Sequence, residues 1–565
     1  MRSLEILALI STGIDEISEE LVKLSTLKYL RLSGVEATMK IPPKLVSRLI
    51  SLQELHVKEN DINLLELNSL SRLTALSLEL STNQFSQEDF VFPKLRRYHI
   101  VVDDCFSFWE ELTIRRLTIQ NFSSSLSAFN NLFCNVENLK WKKVSGRKNI
   151  VPSIGKKVLN ELTSLELDSC DDMEFLIDIT RDQGLTVAFS NLVELNIQSM
   201  VSLKGLCYDL SPSHHAIASL TRLKVVTIKS CPKLKTIFPP CVAQSMLCME
   251  KLYISNCDGL EQVIGFALEE EVTKNDSRLY CCPKLRILKI KDCSSLKYVC
   301  ANTSTQGLQS LESVKIRHSP QLMQIFKMEQ NENGQDVVLP QRLVLSYVEI
   351  IWKTNMSALN EDCIVVGNHE KVFQGGHSFS RIKELCLVNL FEMLIIWSNF
   401  AQVVTLENLT TLLLIYCKKL RYIFLPTTAR SLSHLTNITV TNCGNLKSLF
   451  PFGFVPILPK LQCLEVKRNS KLEQVFELED ELEVVAKEEM KFDKLRKLSL
   501  KELPSLIHFS PKGYHFVLSA LEDLRVRDCP KLTTSFSIDS QEFVHCETKI
   551  DVIFVGFRKW SELIL

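Results

Sequence analysis

Apolar positions recur along this chain in one arrangement, and its clearest copy runs Leu223-x-x-Val226-x-Ile228-x-x-Cys231-x-x-Leu234, closed by Ile237 and Phe238. The same spacing returns at Met249, Leu252, Ile254, Cys257 and Leu260, and again at Leu285, Leu288, Ile290, Cys293 and Leu296. Later copies start at Leu409, Leu435 and Leu521, each with a cysteine in the same slot: Cys417, Cys443 and Cys529. Weaker copies start at Leu4, Leu27, Leu52, Leu73, Leu95, Ile114, Val136, Leu162, Leu192, Leu311, Leu345, Ile382, Leu461 and Leu495, which makes 20 units. Alternation at Val226, Thr227, Ile228 and Lys229 has the period of a short strand, one side chain in and the next out.

A unit of this size cannot bury its own apolar side, so neighbouring units must stack and share one core. Spacings between starts run from 19 to 37 residues, with 26 the commonest. The predicted architecture is an α/β leucine-rich-repeat solenoid: a curved horseshoe with parallel strands on its concave face and irregular loops and short helices on its convex face. Residues 1–150 read as short, regular repeats. Residues 151–541 read as cysteine-type repeats with acidic loop insertions, and residues 542–565 as a C-terminal tail. The stretches 327–340 and 353–380 interrupt the array most. Its first repeat has no polar cap before it, so that end is expected either to be exposed or to abut another domain.

The cysteine column fits the same logic. It falls where the chain leaves the strand, a small polar slot that Asn60 and Asn469 fill in two other copies. A buried thiol behaves there as a compact hydrophobe. Zinc is the sharper alternative for Cys231, Cys257 and Cys293, but zinc sites pair ligands a few residues apart and these lie a repeat apart. The structural reading is preferred, with no metal and no cofactor expected.

Composition narrows the function. Lys plus Arg and Asp plus Glu both total 66, so the net charge is zero, and no global pull toward nucleic acid is expected. No long apolar segment suggests a signal peptide or a membrane span, and the 19 cysteines are read as reduced, in a cytoplasmic setting. No phosphate loop, dinucleotide turn, nucleophile elbow or H-E-x-x-H helix occurs. The pair His214-His215 and the pair Asp171-Asp172 read as loop and turn residues. The chain is expected not to be an enzyme.

The run LEILALISTGIDEISEELVKLSTLKYLRLSG, the continuation KIPPKLVSRLISLQELHV, and the recurring LxxLxIxxCPKLKxIF resemble the leucine-rich repeats of plant nucleotide-binding disease resistance proteins. Acidic insertions followed by CPKLRILKI or FDKLRKLSL are similar to the coiled-coil branch of that family. The resemblance implies a cytoplasmic immune recognition module that senses a pathogen effector or a guarded host protein. It also implies contact with a nucleotide-binding domain at the uncapped N-terminal end. The coiled coil and nucleotide-binding module do not occur in this sequence, so no nucleotide chemistry is expected of it. A generic scaffold or substrate-recruiting adaptor is the alternative.

Outward strand positions are the expected partner surface. The column after the third apolar residue holds eight basic residues against two acidic ones, and the column before that residue five against three. The candidate partner-binding residues are Lys229, Tyr253, Lys289, Lys291, Lys315, Arg317, Lys467, Lys501, Arg525 and Arg527, facing a protein with an acidic surface.

Overall fold

The computed structural model describes residues 3–548, apart from stretches that lie mainly in the connections between strands (11–13, 15, 34–39, 58–61, 86–89, 104–111, 152, 155–158, 179–188, 209–219, 239–245, 266–281, 302–309, 328–380, 395, 397–405, 425–431, 451–457, 477–487 and 511–513). One long sheet of 19 strands runs the length of the molecule, from Ile6–Ile10 to Asp523–Arg527. Every pairing in it is parallel and in step with chain order, as in Val226↔Leu252↔Leu288↔Val314. The fold is the leucine-rich-repeat solenoid that the spacing predicts.

Its cause is visible in a single repeat. In Val225–Lys229 the side chains of Val226 and Ile228 are fully buried, while Val225, Thr227 and Lys229 face outward. Leu223 before the strand and Leu234, Ile237 and Phe238 after it close the same core. Each such side chain contributes roughly 1.5–3 kcal/mol on burial, so a repeat is held by several of them together with the matching set in its neighbours. Strands in such a sheet stand about 4.8 Å apart, and in the cysteine-type repeats short ladders on the opposite flank follow the same order.

In the cysteine-type repeats the chain leaves the long sheet through a residue in the left-handed region. Ser230, Asn256, Asp292, His318, Tyr416, Asn442, Arg468, Glu502 and Asp528 all have φ between 53° and 57°. Each of the first eight donates its amide to the last strand residue of the next repeat, as Ser230 does to Ser255 at 2.9 Å. The column residue follows directly. Cys231, Cys257 and Cys293 are fully buried, and their thiols donate to the carbonyl two residues earlier at 3.3, 3.4 and 3.5 Å. Burial pushes the thiols of Cys170 and Cys529 up to about 11, which keeps them neutral and unreactive.

Asn469 shows what the slot requires. Its Oδ1 accepts from the Cys443 amide at 2.7 Å and its Nδ2 donates to the Val440 carbonyl at 3.1 Å, both buried. We expect Asn469→Cys to cost only about 1 kcal/mol, because a thiol can still serve both groups weakly, whereas Asn469→Leu strands them and costs about 2–3 kcal/mol. Urea titration monitored by circular dichroism distinguishes the two; equal losses would show that shape alone fills the slot.

The structure departs from the sequence expectations in three places. Ser313–Arg317 pairs directly with Glu384–Val388, as Lys315↔Cys386 and Arg317↔Val388. Both edges of Ser313–Arg317 are thereby occupied, so no strand of a unit starting at Leu345 stands between them; residues 328–380 themselves lie outside the described residues. The expected short helices are confined to one part of the flank. Among the described residues its short helices, five of them 3-10 and one α, all precede Cys134. Further along, the trailing pairs form short parallel ladders, such as Thr236–Phe238 with Gln262–Ile264, because Ile237 and Phe238 extend the chain where a helix would need a polar outer side.

The third departure is at the C-terminal end. Val544–Thr548, placed in the tail by sequence, is a strand that pairs antiparallel with both Tyr514–Leu518 and Thr534–Ile538. With Glu488–Lys491 it makes a four-stranded sheet over the last flank layer, where Phe516, Val544 and Cys546 are buried. Glu488 and Glu489, read as part of an acidic loop, begin that sheet. The opposite end differs: Ile6 is 66% and Ile10 47% exposed.

Candidate functional site

All ten residues singled out in the sequence lie at the third or fifth position of a strand in the long sheet, the positions that alternate away from the core. Parallel register sets them in rows. Tyr253, Lys289 and Lys315 are successive partners across three strands, and Lys291 stands beside Arg317. Lys289 and Lys315 are therefore one strand spacing apart, directly above Lys291 and Arg317. Lys229 ends Val225–Lys229 in the row that continues through Ser255 to Lys291.

Neighbouring groups then modify this cluster. Lys289 lies 5.2 Å from the centre of the Tyr253 ring, a cation–π contact on the open face. Glu384, on the next strand, takes Lys315 at 2.7 Å, and that contact holds its carboxyl below the ordinary range. Asp292 in the exit turn contacts Lys291 at 3.1 Å and His318 at 2.9 Å. Arg317 meets the Cys386 sulfur at 3.6 Å and has no carboxylate partner among the described residues. Among the described residues, two of the four cations thus have no carboxylate partner.

A second group sits near the C-terminal end of the sheet. Lys467, Lys501 and Arg527 are successive partners at the ends of three neighbouring strands. With Thr441, Arg468 and Glu502 they line a hollow of about 310 Å³. Arg525 is engaged by Asp523 of its own strand at 2.7 Å, and Arg527 by Asp528 in the turn at 3.2 Å.

Counting columns along the sequence missed Arg468 and Asp292, which stand in the exit turns, and took in Glu384 and Glu465 only as acids of their columns. Which neighbouring cation each of them reaches is disclosed only by the register. Elsewhere the chemistry is structural. Asp172, of the acidic pair, accepts from the Gly146 amide at 2.7 Å as a turn residue. His214 and His215 lie outside the described residues, as do Asn60 and the acidic runs at 269–271 and 477–483. Among the described residues no three His, Cys, Asp or Glu side chains are grouped so as to hold a metal ion. Among them, too, no helix is long and apolar enough to cross a membrane.

A family model described as plant disease resistance protein RPS2-like, leucine-rich repeats, matches residues 108–258, 345–444 and 433–545, more than half of the chain. Disease resistance protein At4g27190 of Arabidopsis thaliana is 25% identical over 349 residues, covering 57% of this chain and 34% of that protein. Disease resistance protein RPS4B of the same plant is 25% identical over 167 residues, covering 29% of this chain and 14% of that protein. The matched portion thus spans about a third or less of these relatives' length. Among solved structures, the Toll–Spatzle complex of Drosophila aligns with 13% identity over 85% of this chain and 52% of that chain, with a TM-score of 0.33.

Proposed function

Since this chain belongs to the RPS2-like leucine-rich repeats of plant disease resistance proteins, we propose that it is a protein-recognition module of plant innate immunity. It holds a pathogen effector or a guarded host protein against the solvent face of its long sheet, in the cytoplasm. The observation that carries this reading is the unbroken row of outward strand positions over 19 parallel strands among the described residues, a surface large enough to hold a protein, on which Lys289, Arg317 and Lys501 have no ion-pair partner among the described residues. The buried thiol column suits a reducing compartment. Nucleotide binding, and the contact through which the repeats restrain a nucleotide switch, belong on this reading to other parts of such a receptor.

The cations set selectivity and association rate more than total affinity. Exposed charges act over roughly 10 Å at 0.1 M salt, so an acidic partner is steered to Lys289 and Arg317 before it docks. Lys289→Glu with Arg317→Glu is expected to slow association about tenfold or more at low salt, with the difference shrinking as salt rises. Surface plasmon resonance against a partner purified on the unmodified chain measures it. Lys235→Glu, the same charge reversal on the flank, should leave association unchanged. An unaltered rate in the double variant would remove the basic face from the mechanism.

A further inference from the structure

The hollow at the C-terminal end of the sheet differs in kind from the Lys289 cluster. Four successive strand ends supply Thr441, Lys467, Lys501 and Arg527 in one row. At about 4.8 Å per strand, the three cations span roughly 10 Å. Arg468 and Glu502 in the exit turns complete a wall around about 310 Å³, room for a phosphoryl group together with the side chain that carries it.

Charge around this hollow does not balance. Glu465 is shared between Lys467, at 2.9 Å, and Lys497. Glu502 is taken by Arg468 at 3.0 Å and Asp528 by Arg527 at 3.2 Å. Lys501 sits between Lys467 and Arg527 with no ion-pair partner among the described residues. Like charges directly opposite one another on neighbouring strands destabilise a sheet, and here three stand in a row. One lysine without a carboxylate and one carboxylate divided between two lysines leave two positive charges uncompensated.

The geometry points to a subsite for a phosphate monoester, presented on a phosphorylated side chain of the protein partner. A doubly charged group matches the two missing negative charges, which a single carboxylate does not. Its three terminal oxygens can accept from the Lys501 ammonium and from the two cations on the strands beside it, Lys467 and Arg527. The hollow opens on the strand face itself, so the anion arrives on a chain laid across the sheet. This rests on the docking surface proposed above and assigns one chemical group to it.

The test uses the full chain and three fluorescent pentapeptides, identical but for a central phosphoserine, glutamate or serine, with inorganic phosphate as a competitor. Fluorescence anisotropy is expected to show the phosphoserine peptide binding about tenfold tighter than the glutamate peptide. Lys501→Ala should weaken it at least about fivefold, Lys501→Arg should retain it, and Lys235→Ala, on the flank, should leave it unchanged. Circular dichroism confirms that each variant is folded. Equal binding of the three peptides, or indifference to Lys501→Ala, overturns the subsite. Inorganic phosphate competing at the same concentration as the phosphoserine peptide overturns the protein-borne source. If the phosphoserine peptide binds as expected while the Lys289 and Arg317 double reversal leaves partner association unaltered, the docking reading fails and the anion site stands; the converse pair of results sinks only the subsite.

Discussion

Phe450→Ala is expected to lower stability by about 3–5 kcal/mol, with the damage centred on its own part of the array. The Phe450 ring is fully buried. It stacks within 8° of parallel on Phe424 at 5.6 Å and on Phe476 at 5.0 Å, and Phe476 in turn meets Phe509 and Phe516 edge to face. Truncation opens a cavity between three consecutive repeats. Alanine loses the transfer energy of the ring and the contacts on both of its sides, and backbones fixed by the sheet ladder cannot collapse to fill the gap. Because stability in a solenoid is mostly a sum of nearest-neighbour interfaces, the loss should be regional. Amide hydrogen exchange measures this directly. Strands Asn437–Thr441 and Cys463–Lys467 should exchange much faster in the variant, while Glu54–Val57 and Ala75–Leu80 keep their protection. Uniform acceleration along the whole chain would mean that the array melts as one unit, against the regional expectation.

Gly259→Ala should cost about 3 kcal/mol through an opposite mechanism, crowding instead of a void. A Cβ at Gly259 would stand 2.1 Å from the Pro232 carbonyl oxygen and 3.1 Å from its carbonyl carbon, both backbone atoms of the preceding repeat. Neither can swing away as a side-chain tip would. The turn after Cys257 must therefore shift by about an ångström, which pulls on the flank pairing of Thr236–Phe238 with Gln262–Ile264. Gly444→Ala is the matched control: its Cβ would meet only the Ser470 Oγ, at 3.4 Å. Thermal unfolding of the two variants should separate them clearly, with Gly444→Ala close to the parent. If Gly259→Ala unfolds at the parental temperature, the close approach of Pro232 is not a constraint on the fold.

Both predictions concern the packed core, where the sequence was most legible. Leu223, Val226, Ile228 and Leu234 are fully buried because period-two alternation and a fixed offset to the next apolar residue leave one stable arrangement. Side-chain direction along a strand is local, so no knowledge of the rest of the chain is needed to read it. The cysteine slot was legible for the same reason. It is one residue beyond a left-handed turn that recurs with the repeat, as Ser230 before Cys231 and Asn256 before Cys257 illustrate. The outward columns were equally plain, and all ten candidate residues stand at outward positions of the long sheet.

Which cations remain available was not legible in this way. Lys315 and Glu384 are 69 positions apart in the chain and 2.7 Å apart in space. They meet only because Ser313–Arg317 pairs with Glu384–Val388 and no rung of a unit at Leu345 intervenes. The same holds for the hollow under Lys467, Lys501 and Arg527, and for the strand Val544–Thr548, whose partners Tyr514–Leu518 and Thr534–Ile538 lie across an antiparallel turn outside the repeat pattern. Repeat lengths vary, so sequence distance does not convert to a number of rungs. The chain alone determined what each strand hides and what it shows, since that depends on alternation within a few residues. Tertiary structure decided which shown charges are neutralised and which converge, because ion pairing and cavity shape depend on the register between repeats.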